Sequence, residues 1–195
     1  MKKVAGSFLI SLLAFSACKK DLVEEVKVDP LTENIQASIQ LMDTIRPKLL
    51  GTWSMKEVDV KVFPPFTSDA GIKNDTTLKD FAVLNISSVD NSSQYFYKIN
   101  NDVKGVLKFK DKTYPVGFTM MPTVTRISNK TGPQVSTLFE YRFSDGSHIV
   151  EKEEAYLWDL GFIGENYSIE ISSDGKTMVW RGLSRAIKSI YLVKR

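Results

Sequence analysis

The feature that most constrains the fold is a hairpin near the C-terminus, in which the turn and the side-chain pattern agree. Asp174-Gly175 is a favoured two-residue turn, and apolar and polar residues alternate on both sides of it. A one-residue shift would move every apolar side chain to the polar face, so an antiparallel hairpin in one register is predicted. This register pairs Ile171 with Met178, Ile169 with Trp180, Ser172 with Thr177 and Glu170 with Val179.

Alternating segments of this kind continue from Trp53 to the C-terminus and predict a mainly β, antiparallel domain. Trp53 and Met55 differ in parity from Val58 and Val60, which predicts a β-bulge or a bend between Met55 and Val58. A closed barrel of about eight to ten strands is favoured because closure removes unpaired edges, and a β-sandwich is the alternative. Residues 66–77 form the longest predicted loop, 184–189 a turn or short helix, and further strands are predicted at 81–86, 94–99, 135–143, 149–158 and 190–194.

Two more hairpins are predicted with less complete registers. Around Asp111-Lys112, Phe109 falls opposite Tyr114, which also sets Leu107 opposite Val116. Pro115 cannot donate to a ladder, so its strand should lie at an edge or carry a bulge there. A turn at Asp145-Gly146 would place Glu140 against Glu151, a like-charge pair that is unfavourable if directly opposed, so that register stays open.

A helix is predicted before the first strand. Asp29 suits the N-cap and Pro30 the first helical position, and Pro47 should end or limit the helix. We expect the helix to pack on the domain, with a partner-binding helix as the alternative. The apolar residues that recur at helical spacing are Leu31, Ile35, Ile39, Met42 and Ile45.

The N-terminus resembles the signal of bacterial lipoproteins. Lys2 and Lys3 precede an apolar stretch too short to span a bilayer, and Phe15-Ser16-Ala17-Cys18 is similar to a lipobox. The resemblance implies cleavage of residues 1–17, acylation of Cys18, a tether at 18–29 and one domain at 30–195. An ordinary secretory signal is the alternative. The charged run after Cys18 resembles export tags of surface lipoproteins and implies the outer membrane, facing the periplasm or the cell surface.

Gly51-Thr52-Trp53, which follows a helical turn and opens the run of strands, resembles the first motif of lipocalins. In that family the tryptophan closes one end of the barrel, and a basic residue of a late strand packs across it. Gly51 and Trp53 match the motif. The resemblance implies a lipocalin-like barrel with one N-terminal helix, and Arg181, next to Trp180, is the candidate for the basic partner.

Charge and motifs exclude several classes of function. The formal net charge of +3 falls by two, to +1, when Lys2 and Lys3 leave with the signal peptide, so nothing predicts nucleic-acid binding. A single cysteine forms no disulfide, and no metal motif or phosphate-binding loop occurs, so we expect no metal and no cofactor. The chain's one histidine, His148, lies beside a turn without a nucleophile elbow. A hydrolase using Glu151 and Glu153 is disfavoured, since these residues are typical of a solvated face, and we predict no enzyme.

Aromatic residues in predicted strands point to binding. They would either line a cavity, because ligand pockets are mostly apolar, or fill the core. Tyr156 and Trp158 share strand parity and would also form a platform for a sugar ring. We therefore predict a lipid-anchored envelope protein that binds a small apolar or amphipathic ligand. The alternative is an accessory lipoprotein of a surface transport or glycan-capture complex, with an envelope protein or a glycan as partner. The ligand-binding candidates are Tyr95, Tyr97, Tyr141, Tyr156 and Trp158.

Overall fold

The protein forms a closed barrel of eight antiparallel strands, in which each strand pairs with the next and β8 pairs with β1. The computed structural model describes residues 30–95, 98–123, 134–143 and 150–195. The predicted mainly β, antiparallel barrel is confirmed, and the sandwich alternative is wrong. The strands are β1 Gly51–Val60, β2 Thr76–Tyr95, β3 Lys98–Phe109, β4 Lys112–Thr123, β5 Gln134–Tyr141, β6 Asn166–Ile171, β7 Thr177–Gly182 and β8 Ile187–Lys194. The helices are α1 Pro30–Leu49, α2 Phe66–Asp69 and α3 Lys152–Asp159.

The hairpin between β6 and β7 has the predicted register. Ile171 lies opposite Met178 and Ile169 opposite Trp180, and the Ser172 amide donates to the Thr177 carbonyl oxygen at 3.0 Å. Gly175 has φ +68°, a conformation that glycine adopts without steric cost. The predicted bulge in β1 is also present, because the register with both neighbouring strands shifts between Met55 and Glu57.

The hairpin between β3 and β4 differs from its predicted register by two residues. Phe109 pairs with Lys112, and Leu107 pairs with Tyr114. The turn closes at Lys110 and Asp111, where Lys110 takes φ +55°. Because a shift of two preserves parity, these apolar side chains still face the barrel interior as expected.

Pro115 lies neither at an edge nor at a bulge, contrary to prediction. It pairs with Val106 in a ladder without register shifts, inside a closed barrel. Its carbonyl oxygen accepts the Arg142 amide at 2.9 Å, one residue beyond the end of β5. The nitrogen and oxygen of one residue face the same neighbouring strand in an antiparallel pair. The N–H that Pro115 lacks would therefore face β5, at the position where the ladder between β4 and β5 ends.

The polar stretch at 89–93, which lies between the predicted strands at 81–86 and 94–99, is itself strand. Val89 pairs with Val103 and Asn91 pairs with Asn101, so β2 and β3 form one long hairpin. The predicted strand at 94–99 contains the end of β2 at Tyr95 and the start of β3 at Lys98, and residues 96 and 97 between them lie outside the described residues. Backbone pairing does not require apolar side chains, which makes side-chain polarity a poor guide to where β2 ends.

The predicted strand at 149–158 is wrong from residue 152 onward, where the chain forms the helix α3, Lys152–Asp159; residue 149 lies outside the described residues. The helix ends in a Schellman motif: the Gly161 amide donates to the Trp158 carbonyl and the Phe162 amide to the Leu157 carbonyl, at 2.8 and 2.9 Å. Leu157 and Leu160 are buried at helical spacing. The open question of Glu140 against Glu151 is thereby resolved, because Glu151 precedes α3 and belongs to no strand.

Helix α1 continues through Pro47 to Leu49, two residues beyond the predicted end. Leu49 is fully buried and its carbonyl oxygen accepts the Trp53 indole N–H at 2.7 Å, so tertiary contacts stabilise the last turn. Met42 and Ile45 are buried as expected, whereas Ile39 is exposed. The helix lies against β2, β3 and β4, which supports packing on the domain. No helix of the described residues is long and apolar enough to span a bilayer.

The remaining connections are more ordered than predicted. The expected loop at 66–77 contains α2 and the start of β2, and β8 begins at Ile187 within the expected turn at 184–189. Side chains fill the described barrel interior, where neighbouring aromatic rings lie with centroids 5.2 to 6.0 Å apart. The fully buried aromatic residues are Trp53, Trp180, Tyr167, Phe118, Phe139 and Phe162.

Candidate functional site

One end of the barrel, which we call the α3 end, is covered by connections rather than by strands. Here β1, β3, β5 and β7 end, and α2, α3 and residues 160–165 follow them. Phe162 and Ile163 are buried in the same core as the barrel residues. The opposite end, the α1 end, carries the first turn into β1 and the hairpin between β6 and β7. Several of the sequence-predicted residues meet at the α3 end.

An aromatic cleft opens at the α3 end between β2, the turn after β3, and α3. The Phe81 and Phe109 rings lie 4.9 Å apart, and the Phe109 and Tyr156 rings stack 5.8 Å apart at an interplanar angle of 2°. The cleft has a volume of about 410 Å³, and Leu78, Lys79, Asp80 and Lys110 complete its lining. It is thus an open, aromatic-floored surface with charged sides.

Lys110 lies at the aromatic floor of the cleft. Its ammonium is 5.3 Å from the Phe109 ring centroid and 5.8 Å from that of Tyr156. Its one described ionic contact is with Glu153 at 3.8 Å, where the Lys110 side chain is 57% exposed and that of Glu153 is 21% exposed. Ion pairs of this length and exposure contribute little, so the charge of Lys110 is available to a ligand that enters the cleft.

Glu151, one of the two predicted carboxylates, attaches the start of α3 to β4. Its Oε1 lies 2.8 Å from Lys112 Nζ, and the Tyr114 hydroxyl donates to its Oε2 at 3.3 Å. The hydrogen bond from Lys112 lowers the pKa of Glu151, and that bond raises the pKa of Lys112. Burial and then the bond to Glu151 raise the pKa of Tyr114 to about 12. A carboxylate held ionised in this way suits charge pairing and not general-acid chemistry.

Tyr141, a predicted ligand-binding residue, helps to hold α3 instead of facing the cleft. Its hydroxyl donates to the Glu154 carbonyl oxygen at 3.4 Å, and its ring lies 5.7 Å from that of Tyr114. Burial, followed by the nearby charge of Glu154, raises its pKa well above the ordinary tyrosine value. Tyr141 and Glu151 therefore act together in positioning the helix that carries Tyr156.

Tyr156 and Trp158 do not share a face, contrary to the strand-based expectation. Two residues apart on a helix, they point in nearly opposite directions. Tyr156 stacks on Phe109 in the cleft. Trp158 is 49% exposed, and the Arg185 guanidinium carbon lies 5.7 Å from its ring centroid. The predicted single platform is therefore two separate aromatic surfaces.

A fully buried carboxylate, Glu165, holds the connection between β7 and β8. Its Oε1 accepts hydrogen bonds from the Asn166 amide at 2.7 Å, the Ser184 amide at 3.1 Å and the Ser184 hydroxyl at 2.7 Å. Its Oε2 accepts the Arg185 amide. Four donors on one carboxylate fix the backbone from which the Arg185 side chain starts.

At the α1 end, the motif Gly51-Thr52-Trp53 lies where β1 begins, and Trp53 is fully buried. Its basic partner is Lys194: the ammonium lies 5.2 Å from the Trp53 ring centroid and donates to the Lys48 carbonyl oxygen at 3.0 Å. Arg181 was predicted for this role, and that prediction is wrong. Trp180 on β7 faces the interior, so Arg181 faces outward, where it lies 3.5 Å from Glu170.

Four predicted residues cannot be placed in this geometry. Cys18, Tyr97 and His148 lie outside the described residues, and Tyr95 is the last residue of β2 with a side chain outside the described part. The described residues contain no group of three or more potential metal ligands among histidine, cysteine, aspartate and glutamate. Of the predicted candidates, the structure therefore brings only Tyr156 into the aromatic cleft.

Comparisons of the chain with protein-family models, curated proteins and solved structures find no match. The site must therefore be interpreted from its own geometry. Sequence reasoning missed Phe81, Phe109 and Lys110 as partners of Tyr156, because the convergence of β2, β3 and α3 has no local sequence signal. It also missed Glu165 and Lys194, whose contacts join segments far apart in the chain.

Proposed function

We propose that the protein is a lipid-anchored, non-catalytic binding protein of the bacterial envelope, with a lipocalin-like barrel that takes an amphipathic ligand in the aromatic cleft. The observation that carries the proposal is the meeting of Phe81, Phe109 and Tyr156 around an open volume of about 410 Å³. The barrel supplies a rigid frame, and α3 supplies one wall of the site. The lipocalin likeness rests on Gly51, Trp53 and the late-strand cation Lys194, which lies over the tryptophan ring.

The cleft is a better candidate than the barrel interior. The interior positions that the structure describes hold close-packed aromatic and aliphatic side chains, and small barrels of eight strands are readily filled in this way. The cleft instead leaves Leu78, Phe81 and Tyr156 only partly buried. Ligand sites typically combine such apolar surface with a few charged groups that set orientation.

The chemistry of the cleft favours an amphipath with an anionic group. A flat or ring-shaped apolar part of the ligand would stack on Phe81, Phe109 and Tyr156. Aromatic contact and the burial of apolar surface would both favour binding. The anionic group would meet Lys110, whose contact with Glu153 is long at 3.8 Å, whereas Lys79 is in close contact with Glu57. Asp80 is paired with Lys56 at 2.6 Å, which leaves it less able to repel the ligand.

The cleft can be tested with 1-anilinonaphthalene-8-sulfonate, an aromatic anion whose fluorescence rises on transfer out of water. We expect saturable binding with one site per chain, a Kd at least fivefold higher in Lys110→Gln, and a larger loss in Tyr156→Ala. Trp158→Ala is the matched control, because it removes an aromatic residue from the other side of the same helix, and its Kd should be unchanged. Binding that survives both cleft substitutions would contradict the proposal.

The proposed anchor predicts a change of compartment when its thiol is removed. Acylated Cys18 would hold the protein stably, because burial of each CH₂ contributes about 0.8 kcal/mol and more than one chain is attached. We expect the native chain in the membrane fraction and Cys18→Ser in the soluble fraction, with acyl groups on the native chain alone visible by mass spectrometry. Ser16→Thr, which leaves the thiol in place, is the control. A native chain that carries no acyl groups on Cys18 would exclude the lipid anchor.

A second candidate function, an accessory lipoprotein that binds an envelope partner, is favoured by the exposed apolar residues of the α3 end. Phe63 and Phe66 stack with ring centroids 6.1 Å apart and are both exposed. Trp158 and Leu183 are exposed at the same end. Clusters of exposed apolar groups mark interaction surfaces more often than scattered ones do. If a Phe63→Ser/Phe66→Ser variant still binds ligand in the aromatic cleft, the exposed apolar residues are not part of the cleft site. The two candidate functions would then be distinct.

A further inference from the structure

The Trp158–Arg185 pair forms a second surface of the α3 end, separate from the aromatic cleft. Trp158 is 49% exposed on α3, while Arg185 comes from the connection between β7 and β8. The guanidinium carbon lies 5.7 Å from the indole centroid, within the range of a cation–π contact. The pair thus places a flat apolar ring and a permanent positive charge side by side.

The position of Arg185 is fixed before any ligand arrives. Its amide is held by the buried carboxylate of Glu165. Its side chain passes Gly161 and Gly164 so closely that a Cβ at either glycine would lie 3.2 Å from Arg185 Cβ or 3.4 Å from Arg185 Nη1, respectively. A binding group that is already ordered loses less conformational entropy on association, so this arrangement suits recognition.

The donors of Arg185 are largely unused. Among the residues that the structure describes, the guanidinium makes one long hydrogen bond, from Nη1 to the Ile163 carbonyl oxygen at 3.5 Å. No ion pair of Arg185 occurs in the same residues, because Glu165 is engaged by main-chain amides and the Ser184 hydroxyl. A guanidinium with free N–H groups is the preferred partner of a carboxylate, which it binds through two parallel hydrogen bonds.

We infer that the Trp158–Arg185 pair is a binding site for a carboxylate-bearing sugar ring, as found in acidic polysaccharides. The C–H face of a pyranose would cover the exposed part of the indole, and its carboxylate would take the N–H groups of Arg185. One ligand can make both contacts, because a uronic acid carries its carboxylate on the ring carbon next to the ring oxygen. This inference does not depend on the cleft, which uses other residues.

A peptide is a weaker fit to the same surface. The barrel is closed, so its described strands offer no free edge to which an extended peptide could add as a further strand. A single ring with one charge matches the two groups that are present.

The test uses trigalacturonate as the probe and its neutral methyl ester as the matched ligand. Binding can be followed by the protection of tryptophan fluorescence from acrylamide, which reports on Trp158 because Trp53 and Trp180 are fully buried. We expect saturable binding of trigalacturonate and at least tenfold weaker binding of the ester. We expect a Kd at least tenfold higher in Arg185→Gln, measured by calorimetry, and a partial loss in Arg185→Lys, which keeps the charge without the two-pronged geometry.

Two controls distinguish this site from general electrostatics and from the cleft. Arg181→Gln removes an exposed arginine from the neighbouring strand and should leave the Kd unchanged, as should Tyr156→Ala. Trp158→Leu should weaken binding at least fivefold and serves as the second variant if Arg185→Gln does not fold. The inference is overturned if trigalacturonate does not bind, if the ester binds equally, or if Arg185→Gln has no effect. Equal, Arg185-dependent binding of a triglutamate peptide would assign the site to an acidic peptide instead.

Discussion

Gly182→Ala should lower the free energy of unfolding by about 3 kcal/mol or more, at the upper end of what overpacking costs. A Cβ at this position would lie 1.8 Å from the Ile187 carbonyl oxygen and 2.9 Å from the carbonyl carbon. Both atoms belong to backbone at the start of β8, which pairs with β1 and β7. Neither strand can move away without breaking ladder hydrogen bonds, so the clash must be relieved by distortion of the barrel.

Urea unfolding followed by tryptophan fluorescence would measure the effect, because Trp53 and Trp180 are buried in the barrel. Arg181→Ala is the matched control: it changes the adjacent residue of β7, whose side chain is exposed and pairs only at the surface, and should cost less than about 1 kcal/mol. Failure of Gly182→Ala to fold, with a soluble Arg181→Ala, agrees with the prediction. Equal midpoints and slopes for the two variants would show that the close contact at Gly182 is not a constraint.

The strands were predictable where polarity alternates and a strong turn sets the register. Asp174-Gly175 satisfied both conditions, and its hairpin has the expected pairs. The turn at Lys110-Asp111 lacks a glycine, so the sequence did not reveal which two residues close it, and the prediction missed by two. The polar residues at 89–93 misled for a different reason: backbone pairing in a strand does not require apolar side chains.

Helix α3 was missed although the chain contained its signals. Glu153 and Glu154 lie in the first turn, where negative charge is favourable. Gly161 follows the C-cap residue Leu160, where its φ of +72° completes the cap. The apolar residues at 149–158 also fit a strand, and a short apolar run does not distinguish the two. The burial of Leu157 and Leu160 on the barrel core settles the choice, and that contact is invisible from the sequence.

The error in α3 carried over to the candidate site. With Tyr156 and Trp158 on a strand, one aromatic platform was expected. On a helix, Tyr156 and Trp158 belong to two separate surfaces. Tyr156 has Phe109 and Lys110 as its partners, and Trp158 has Arg185; all three partners come from distant segments of the chain. The same limit explains why Lys194, and not the predicted Arg181, lies over the Trp53 ring. The motif predicted a cation from a late strand, but whether a residue faces the tryptophan depends on strand register at the closing seam of the barrel.

Glu165→Ala should destabilise the protein by about 4 kcal/mol, and Glu165→Gln by about 2 kcal/mol, since hydrogen bonds to a charged group contribute about 1.5–3 kcal/mol and unpaired buried donors add a desolvation cost. Alanine leaves the amides of Asn166, Ser184 and Arg185 without their acceptor, whereas glutamine keeps one oxygen but turns an NH₂ group toward an amide donor. Glu57→Gln is the control, because its ion pair with Lys79 is exposed and should contribute less than about 1 kcal/mol.

Urea unfolding gives the free-energy differences. Trigalacturonate binding by Glu165→Gln then tests whether the hydrogen bonds to Glu165 support both stability and ligand recognition. Because Glu165 touches the backbone of Arg185 and not the ligand, its loss should weaken binding by releasing the guanidinium from its fixed position. The Kd should rise while the preference for the acid over the methyl ester persists, since the charge of Arg185 remains. A Glu165→Gln variant as stable as the native chain would mean that the carboxylate does not hold this connection, and the order of Arg185 would then need another source.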